Sequence, residues 1–176
     1  INKVQIPVNA QRGNSIPVST FVDIADGTFP QGTAAFEKRG IAVDVPEWIP
    51  ENCIQCNMCS MVCPHAVIRP FALNADEAAK APEGMKMKDM TGMAGYKFAM
   101  GISVLDCTGC GVCANVCPGK KGAKALVMKG LETQEAQQPV FDYAIKTSEK
   151  PEIFEKFKPT TLKGSQFKQP LLEFSG

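Results

Sequence analysis

Residues 53–64 read CIQCNMCSMVCP, four cysteines within eleven positions and a proline directly after the last. The spacing is C-x2-C-x2-C-x3-C-P, running through Cys53, Cys56, Cys59 and Cys63 to Pro64. Residues 107–118, CTGCGVCANVCP, repeat it in register 54 positions later, through Cys107, Cys110, Cys113, Cys117 and Pro118. These two copies contain all eight cysteines of the chain. So many soft ligands at such short spacing point to metal-bound chemistry.

Two rival uses of eight cysteines fit less well. Cysteines at x2 spacing do not readily pair within one loop, and nothing in the sequence suggests secretion, so a disulfide framework is disfavoured. Four-thiolate zinc sites usually draw two C-x2-C pairs from separated knuckles. Three cysteines at consecutive x2 steps and a fourth before proline form instead the run that ligates iron–sulfur clusters. A cubane has four irons, each needing one external thiolate. Three closely spaced cysteines wrap one face of it, with backbone N–H groups turned inward to the sulfurs, and the fourth reaches the other cluster. The inferred assignment is Cys53, Cys56, Cys59 and Cys117 on one [4Fe-4S] cluster, with Cys63, Cys107, Cys110 and Cys113 on the other. Such crossed ligation requires two halves packed face to face, close enough for electrons to hop between them.

The rest of the composition bounds this reading. At 176 residues the chain is one domain, or one core with extensions. A net charge of +1 and a pI near 7.7 give no reason to expect nucleic acid or an anionic membrane as partner. No apolar run approaches the roughly 18 residues of a spanning helix, and no signal-peptide pattern opens the chain, so a cytoplasmic location is expected. With one tryptophan and two tyrosines, the interior must rely on small aliphatics, methionine and ten phenylalanines. The chain opens on Ile1, which suggests processing or excision from something longer.

The expected fold is α+β, a bacterial dicluster ferredoxin-like core of pseudo-twofold strand–loop–helix–strand halves, with N- and C-terminal extensions. SVLD before Cys107 and ALVM after Pro118 read as short strands. IAVDVPEWIP alternates Ile41, Val43 and Val45 before its prolines, and AVIRPF after Pro64 is a further apolar run. SMVCP and ANVCP each read as one helical turn ending near proline. Residues 45–130 are predicted to form the core, with an insertion at about 70–100, between an N-terminal arm (1–44) and a C-terminal arm (131–176). In the insertion, NADEAAKAPEGMKMKDM reads as a helix followed by a mobile segment. FEKRG reads as a helical turn closed by Gly40, and PEIFEKF as a helix opened by Pro151. KPTTLKGSQFKQPLLEFSG, interrupted by Pro159, Gly164 and Pro170, reads as an extended strap.

Residues around the ligands set the environment of the sites. Ile54, Met58, Val62, Val112 and Val116 are placed to exclude water. Gly109 and Gly111 permit backbone conformations denied to Gln55 and Asn57, so the two loops need not be identical, unless the glycines merely relieve crowding. Met85, Met87, Met90, Met93 and Met100 suggest core filling or a partner-facing surface rather than a copper site. His65, the single histidine, reads as solvent-facing or hydrogen-bonded. Lys120, Lys121 and Lys124 form a basic cluster beside the second loop, either a docking patch for an acidic carrier or a solvated face.

The flanks carry a further resemblance. GNSIPVSTF (13–21), residues 25–71 from ADGTFPQG to HAVIRPF, and TGMAGYKFAMGISVLDCTGCGVCANVCPG (91–119) resemble the ferredoxin-type domain of the pyruvate:ferredoxin oxidoreductase family. The resemblance covers nearly the whole chain, and its non-cysteine part is more specific than the cluster motif. It implies electron transfer through two [4Fe-4S] clusters inside a larger enzyme, which converts pyruvate and coenzyme A to acetyl-CoA and CO2. That parent would also use thiamine diphosphate, magnesium and a third [4Fe-4S] cluster in other domains. It would act as a homodimer and pass electrons to an external ferredoxin or flavodoxin. This segment alone would not turn over pyruvate. Two alternatives remain: a free-standing dicluster ferredoxin, disfavoured by the long arms and near-neutral charge, or the electron-transfer subunit of another 2-oxoacid oxidoreductase.

Overall fold

The structure, a computed structural model, describes residues 1–30 and 32–168. It divides into two compact units, Ile1–Lys38 and the chain from Arg39 onward. In the first unit a short helix, α1 (Gln5–Asn9), precedes 3-10 turns at Gly13–Ser15, Val18–Ile24 and Thr33–Phe36. None of its described side chains is fully buried, and Val18, Val22, Phe29 and Phe36 are exposed. The helical turn expected over FEKRG lies upstream, ending at Phe36 where that stretch begins. Gly40 does adopt the left-handed conformation, but its N–H donates to the Leu105 carbonyl at 2.8 Å instead of closing a helix.

The second unit is built from two small antiparallel sheets. Strand β1 (Asp44–Trp48) pairs with β5 (Leu126–Gly130), Val45 opposite Lys129 and Trp48 opposite Leu126. Strand β2 (Ile68–Leu73) pairs with β4 (Lys97–Ile102), Ile68 opposite Ile102, and β3 (Lys88–Asp89) extends β4 on its other edge. Each cysteine loop leads into one helical turn, α2 (Met58–Met61) between β1 and β2, then α4 (Val112–Val116) between β4 and β5. Between these lies α3 (Ala75–Ala79). Proline in a strand removes a ladder donor, and both strand prolines, Pro46 in β1 and Pro70 in β2, sit on edge strands where this is tolerated.

The core gathers Val45, Trp48, Ile68, Phe98, Ile102, Val104 and Leu126, with Ile153 from the C-terminal arm. Trp48 meets Phe98 edge to face, ring centroids 5.9 Å apart. Met90 and Met100 are buried in this core and Met93 packs on it; Met85 is buried in a second cluster with Leu73, Ala99 and Ala144, against which Met87 rests. The methionines fill space in two separate places, the core-filling role expected of them.

Several local expectations change. The strand before Cys107 is KFAMGI, not SVLD. Ser103 gives the last rung, its N–H to the Val67 carbonyl, and then Ser103 Oγ donates to Asp106 and Cys107 N–H to the Ser103 carbonyl, folding the chain into a turn. In IAVDVPEWIP the strand starts only at Asp44, and Ile41 and Val43 are exposed. The helix of the insertion is α3, opened by a capping box in which Asn74 and Glu77 each bond the other's backbone N–H. The stretch after α3 is not loose: it returns as β3, with Met85 and Met90 buried.

The C-terminal arm is more helical than expected. It forms α5 (Gln137–Ala144), α6 (Pro151–Lys156) with Pro151 at its first turn, and α7 (Leu162–Lys168) where a strap was expected; Pro170 lies outside the described residues. Gly164 was read as a breaker, yet it serves close approach. A Cβ there would stand 2.1 Å from the Phe157 carbonyl oxygen and 2.2 Å from that of Lys158. Gly164→Ala is therefore expected to destabilise by about 2–4 kcal/mol through overpacking, whereas Gly95→Ala, left-handed but in open space, costs about 1 kcal/mol. Thermal unfolding of the two variants side by side checks this; equal losses would refute it.

Candidate metal centre

The two cysteine loops follow the same backbone path. Gln55 and Asn57 have φ of 58° and 62°, and the matching Gly109 and Gly111 both have 72°. Gln55 and Asn57 thus adopt the left-handed conformations expected to be denied to them. In each loop the N–H two residues on donates to the first cysteine, Gln55 N to Cys53 Sγ and Gly109 N to Cys107 Sγ, both at 3.4 Å. A third such bond, Ala125 N to Cys117 Sγ, is also 3.4 Å.

Left-handed backbone costs a non-glycine residue about 1–2 kcal/mol, and the first loop offsets this with side-chain bonds. Gln55, only 1% exposed, donates Nε2 to the Asp89 carbonyl and accepts from Thr91 N–H, both at 2.8 Å. Asn57 donates Nδ2 to the Lys163 carbonyl at 3.0 Å. Lys88 donates Nζ to the Pro50 carbonyl at 2.7 Å and to the Cys53 carbonyl at 2.8 Å. Helix α7 adds Gln166, which accepts from Ser60 Oγ at 2.8 Å and, through its carbonyl, from Arg69 Nη2 at 2.9 Å. The second loop is held from elsewhere. Gln138 of α5 accepts from Leu105 N–H, and Gly109 approaches Asp44 so closely that a Cβ would lie 3.0 Å from its carbonyl oxygen.

The loops enclose two cavities. Cys53, Cys56, Cys59 and Cys117 line the first, which is walled by Trp48, Ile54, Met100, Pro118 and Leu126. Cys63, Cys107, Cys110 and Cys113 line the second, with Pro46, Pro64, Val67, Ile68 and Met128. Each cavity therefore receives three cysteines from one motif and the fourth from the other. Of the five residues expected to exclude water, Ile54 alone is among the walls; Met58 and Val112 are exposed. The strand residues Trp48, Met100, Leu126, Pro46, Ile68 and Met128, with Val67 just before β2, take that role, unmarked by any spacing rule. His65 is half-buried and lines the second cavity. Lys120, Lys121 and Lys124 are exposed, and Lys124 Nζ donates to the Asn115 carbonyl at 2.6 Å.

The electrostatics suit a cationic group. Burial pushes the Cys59 thiol far above its ordinary range, with Cys53 and Cys56 raising it further. Burial, then Cys63, drives Cys113 up to about 12, and burial also raises Cys107. Four crowded thiolates, two of them buried in each site, are tolerated together only around positive charge. Trp48 Nε1 and Asn57 Oδ1, on residues lining the first cavity, are buried and lack partners among the described residues, as where a group is bound that the polypeptide does not supply. Among the described residues no group of three or more His, Cys, Asp or Glu side chains is placed to hold a single metal ion. These features fit an iron–sulfur cluster, with the four cysteines of each cavity as its holders.

Comparison with known proteins agrees. Residues 49–121 match the 4Fe-4S dicluster domain family, and residues 1–42 match the EKR domain of unknown function. Over 176 residues the chain is 51% identical to the pyruvate-flavodoxin oxidoreductase of Klebsiella pneumoniae, covering all of this chain and 15% of that protein. It is 54% identical over 179 residues to the pyruvate:ferredoxin oxidoreductase of Moorella thermoacetica, again all of this chain and 15% of the relative. With the NADP(+) pyruvate dehydrogenase of Cryptosporidium parvum it shares 47% over 173 residues, 96% of this chain and 8% of the other. The chain thus spans about a seventh of the length of the first two relatives.

The compensation at Gln55 can be measured. Gln55→Ala keeps the left-handed strain and loses both bonds, with an expected cost of about 2–3 kcal/mol. Gln55→Gly loses the same bonds but relieves the strain, and should recover about 1 kcal/mol of that cost. Anaerobic denaturation of both variants decides it, and a glycine variant less stable than the alanine variant would contradict the assignment.

Proposed function

The chain is a ferredoxin-type, 4Fe-4S dicluster segment of the pyruvate:ferredoxin oxidoreductase family, and from that premise we propose that it conducts electrons within such an enzyme. The path would run from a thiamine-diphosphate site, where pyruvate and coenzyme A become acetyl-CoA and CO2, to an external ferredoxin or flavodoxin. Magnesium, a third [4Fe-4S] cluster and the catalytic apparatus would belong to other domains of a cytoplasmic, homodimeric parent. The relatives' names differ in the acceptor, flavodoxin, ferredoxin or NADP(+), so acceptor choice belongs to each enzyme rather than to this segment.

One observation carries the reading: each of the two cavities draws three cysteines from one motif and one from the other. Cys53, Cys56, Cys59 and Cys117 would hold one [4Fe-4S] cluster and Cys63, Cys107, Cys110 and Cys113 the second. When bound, these clusters accept and release single electrons without making or breaking covalent bonds in a substrate. The polypeptide fixes the thiolates, directs Gln55, Gly109 and Ala125 N–H at cysteine sulfurs, and surrounds both sites with apolar walls. The matched dihedrals and the pairing of β1 with β5 and β2 with β4 support a pseudo-twofold core. That core would span 45–130, with the insertion at about 70–100, and residues 1–44 and 131–176 would be its arms.

Anaerobically prepared protein is expected to bind about eight irons and eight sulfides per chain. Given pyruvate, coenzyme A and thiamine diphosphate it should form no acetyl-CoA, yet exchange electrons with a mediator. Cys117→Ala should disturb the same spectroscopic signal as Cys56→Ala, and Cys63→Ala the same signal as Cys110→Ala. If Cys117→Ala instead behaves like Cys110→Ala, each loop ligates its own cluster. Stoichiometric zinc without sulfide would end the iron–sulfur reading altogether.

A further inference from the structure

The two sites share a backbone path and differ in charge. Lys88, on β3 in the insertion, fixes its ammonium on the carbonyl oxygens of Pro50 and Cys53, at 2.7 and 2.8 Å. Lys163, on α7, accepts the Asn57 side chain at its own carbonyl. Its ammonium stands 4.1 Å from the Phe157 ring centroid and 3.5 Å from the Thr91 carbonyl oxygen, within the field of Cys53 and Cys56. At the second site Arg69 is felt at Cys63 and bonded to the Gln166 carbonyl. Directly before its first cysteine the second loop carries Asp106, where the first has neutral Asn52.

Resting on the dicluster reading above, we propose that Lys88 and Lys163 make the first cysteine site the electron sink of the pair. An electron would leave the second cluster, oxidising it by one, and reduce the first by one, with no bond or proton exchanged. Reduction adds negative charge, so a fixed ammonium favours the reduced form. Two unit charges about 10 Å apart at an effective dielectric near 20 interact by enough to move a one-electron reduction equilibrium on the order of tenfold. One factor acts the other way: Cys110 in the second site is exposed, and water also favours the reduced form. That exposure reaches one corner of one site, whereas both ammonium groups act on the first site as a whole. Both lysines lie outside the two cysteine motifs, one in the insertion and one in the C-terminal arm, so these additions set direction without altering ligand spacing.

The test is an anaerobic redox titration of the cluster-loaded chain followed by EPR, with Cys56→Ser and Cys110→Ser identifying the two signals. In the unaltered chain the first site should be reduced first. Lys88→Met and Lys163→Met should each make it about tenfold harder to reduce, about 59 mV for a one-electron couple, while the second site moves less than about threefold. Lys163→Arg, which keeps the charge, should stay near the unaltered value, as should Lys80→Met on the exposed end of α3. Earlier reduction of the second site, or equal movement of both signals, would overturn the proposal. If one lysine variant fails to load clusters, the other decides; failure of both assigns the lysines a purely structural role and refutes the proposal. An unaltered chain without stoichiometric iron and sulfide would instead refute the dicluster reading beneath it.

Discussion

Each cavity takes its fourth cysteine from the other half of the chain, so neither can be completed by local folding. Cys117 reaches the first cavity from 58 positions beyond Cys59, and Cys63 reaches the second from 44 positions before Cys107. Closing such loops costs chain entropy, and the two antiparallel sheets supply the contacts that offset it. β1 and β5 join the outer ends of the two halves, while β2 and β4 join the inner ends. The apolar faces of these strands are also the cavity walls. Trp48, Leu126, Ile68 and Met100 thus serve packing and water exclusion together, so a core mutation at any of them is also a mutation of a site.

The two loops reach one geometry by different means. Glycine gives the second loop its left-handed turns without steric cost, and lets it lie against Asp44 and Ala42. The first loop carries Gln55 and Asn57 in the same conformation and depends on bonds to Asp89, Thr91 and Lys163. These partners come from the insertion and from α7. The additions to a minimal core are therefore structural necessities for the first site, and shortening either would leave two strained residues without compensation.

Spacing made legible which cysteines gather around each cavity, because a tight loop leaves few choices. Alternation and proline placement located β5 and the turns α2 and α4 closely. They failed at SVLD, where Ser103 and Asp106 close a turn, because a short apolar run does not show where the ladder ends. Gly164 misled for a related reason: a glycine that breaks a helix and one that admits a neighbouring carbonyl look identical in sequence. The roles of Gln55, Asn57 and Gln166 depend on contacts between residues up to 106 positions apart. A signal was nonetheless present. Gln and Asn stand where the second copy has glycine, and such a departure within a repeat implies an outside support.

That support also explains why charge could enter the first site through its surroundings. A ligand loop tolerates little change, since its N–H groups must point at sulfur and its thiolates at the cavity. The carbonyl of Cys53 accepts from Lys88, and the side-chain amide of Asn57 donates to the Lys163 carbonyl, without either bond moving a cysteine. A lysine anchored there acts through space, and its effect falls off with distance and with exposure to water. Lys163 is held against Phe157 and Lys88 between two carbonyls, so neither charge is free to drift into solvent. Fixing the ammonium is what turns a surface cation, screened and averaged, into a lasting bias on one of two otherwise matched sites.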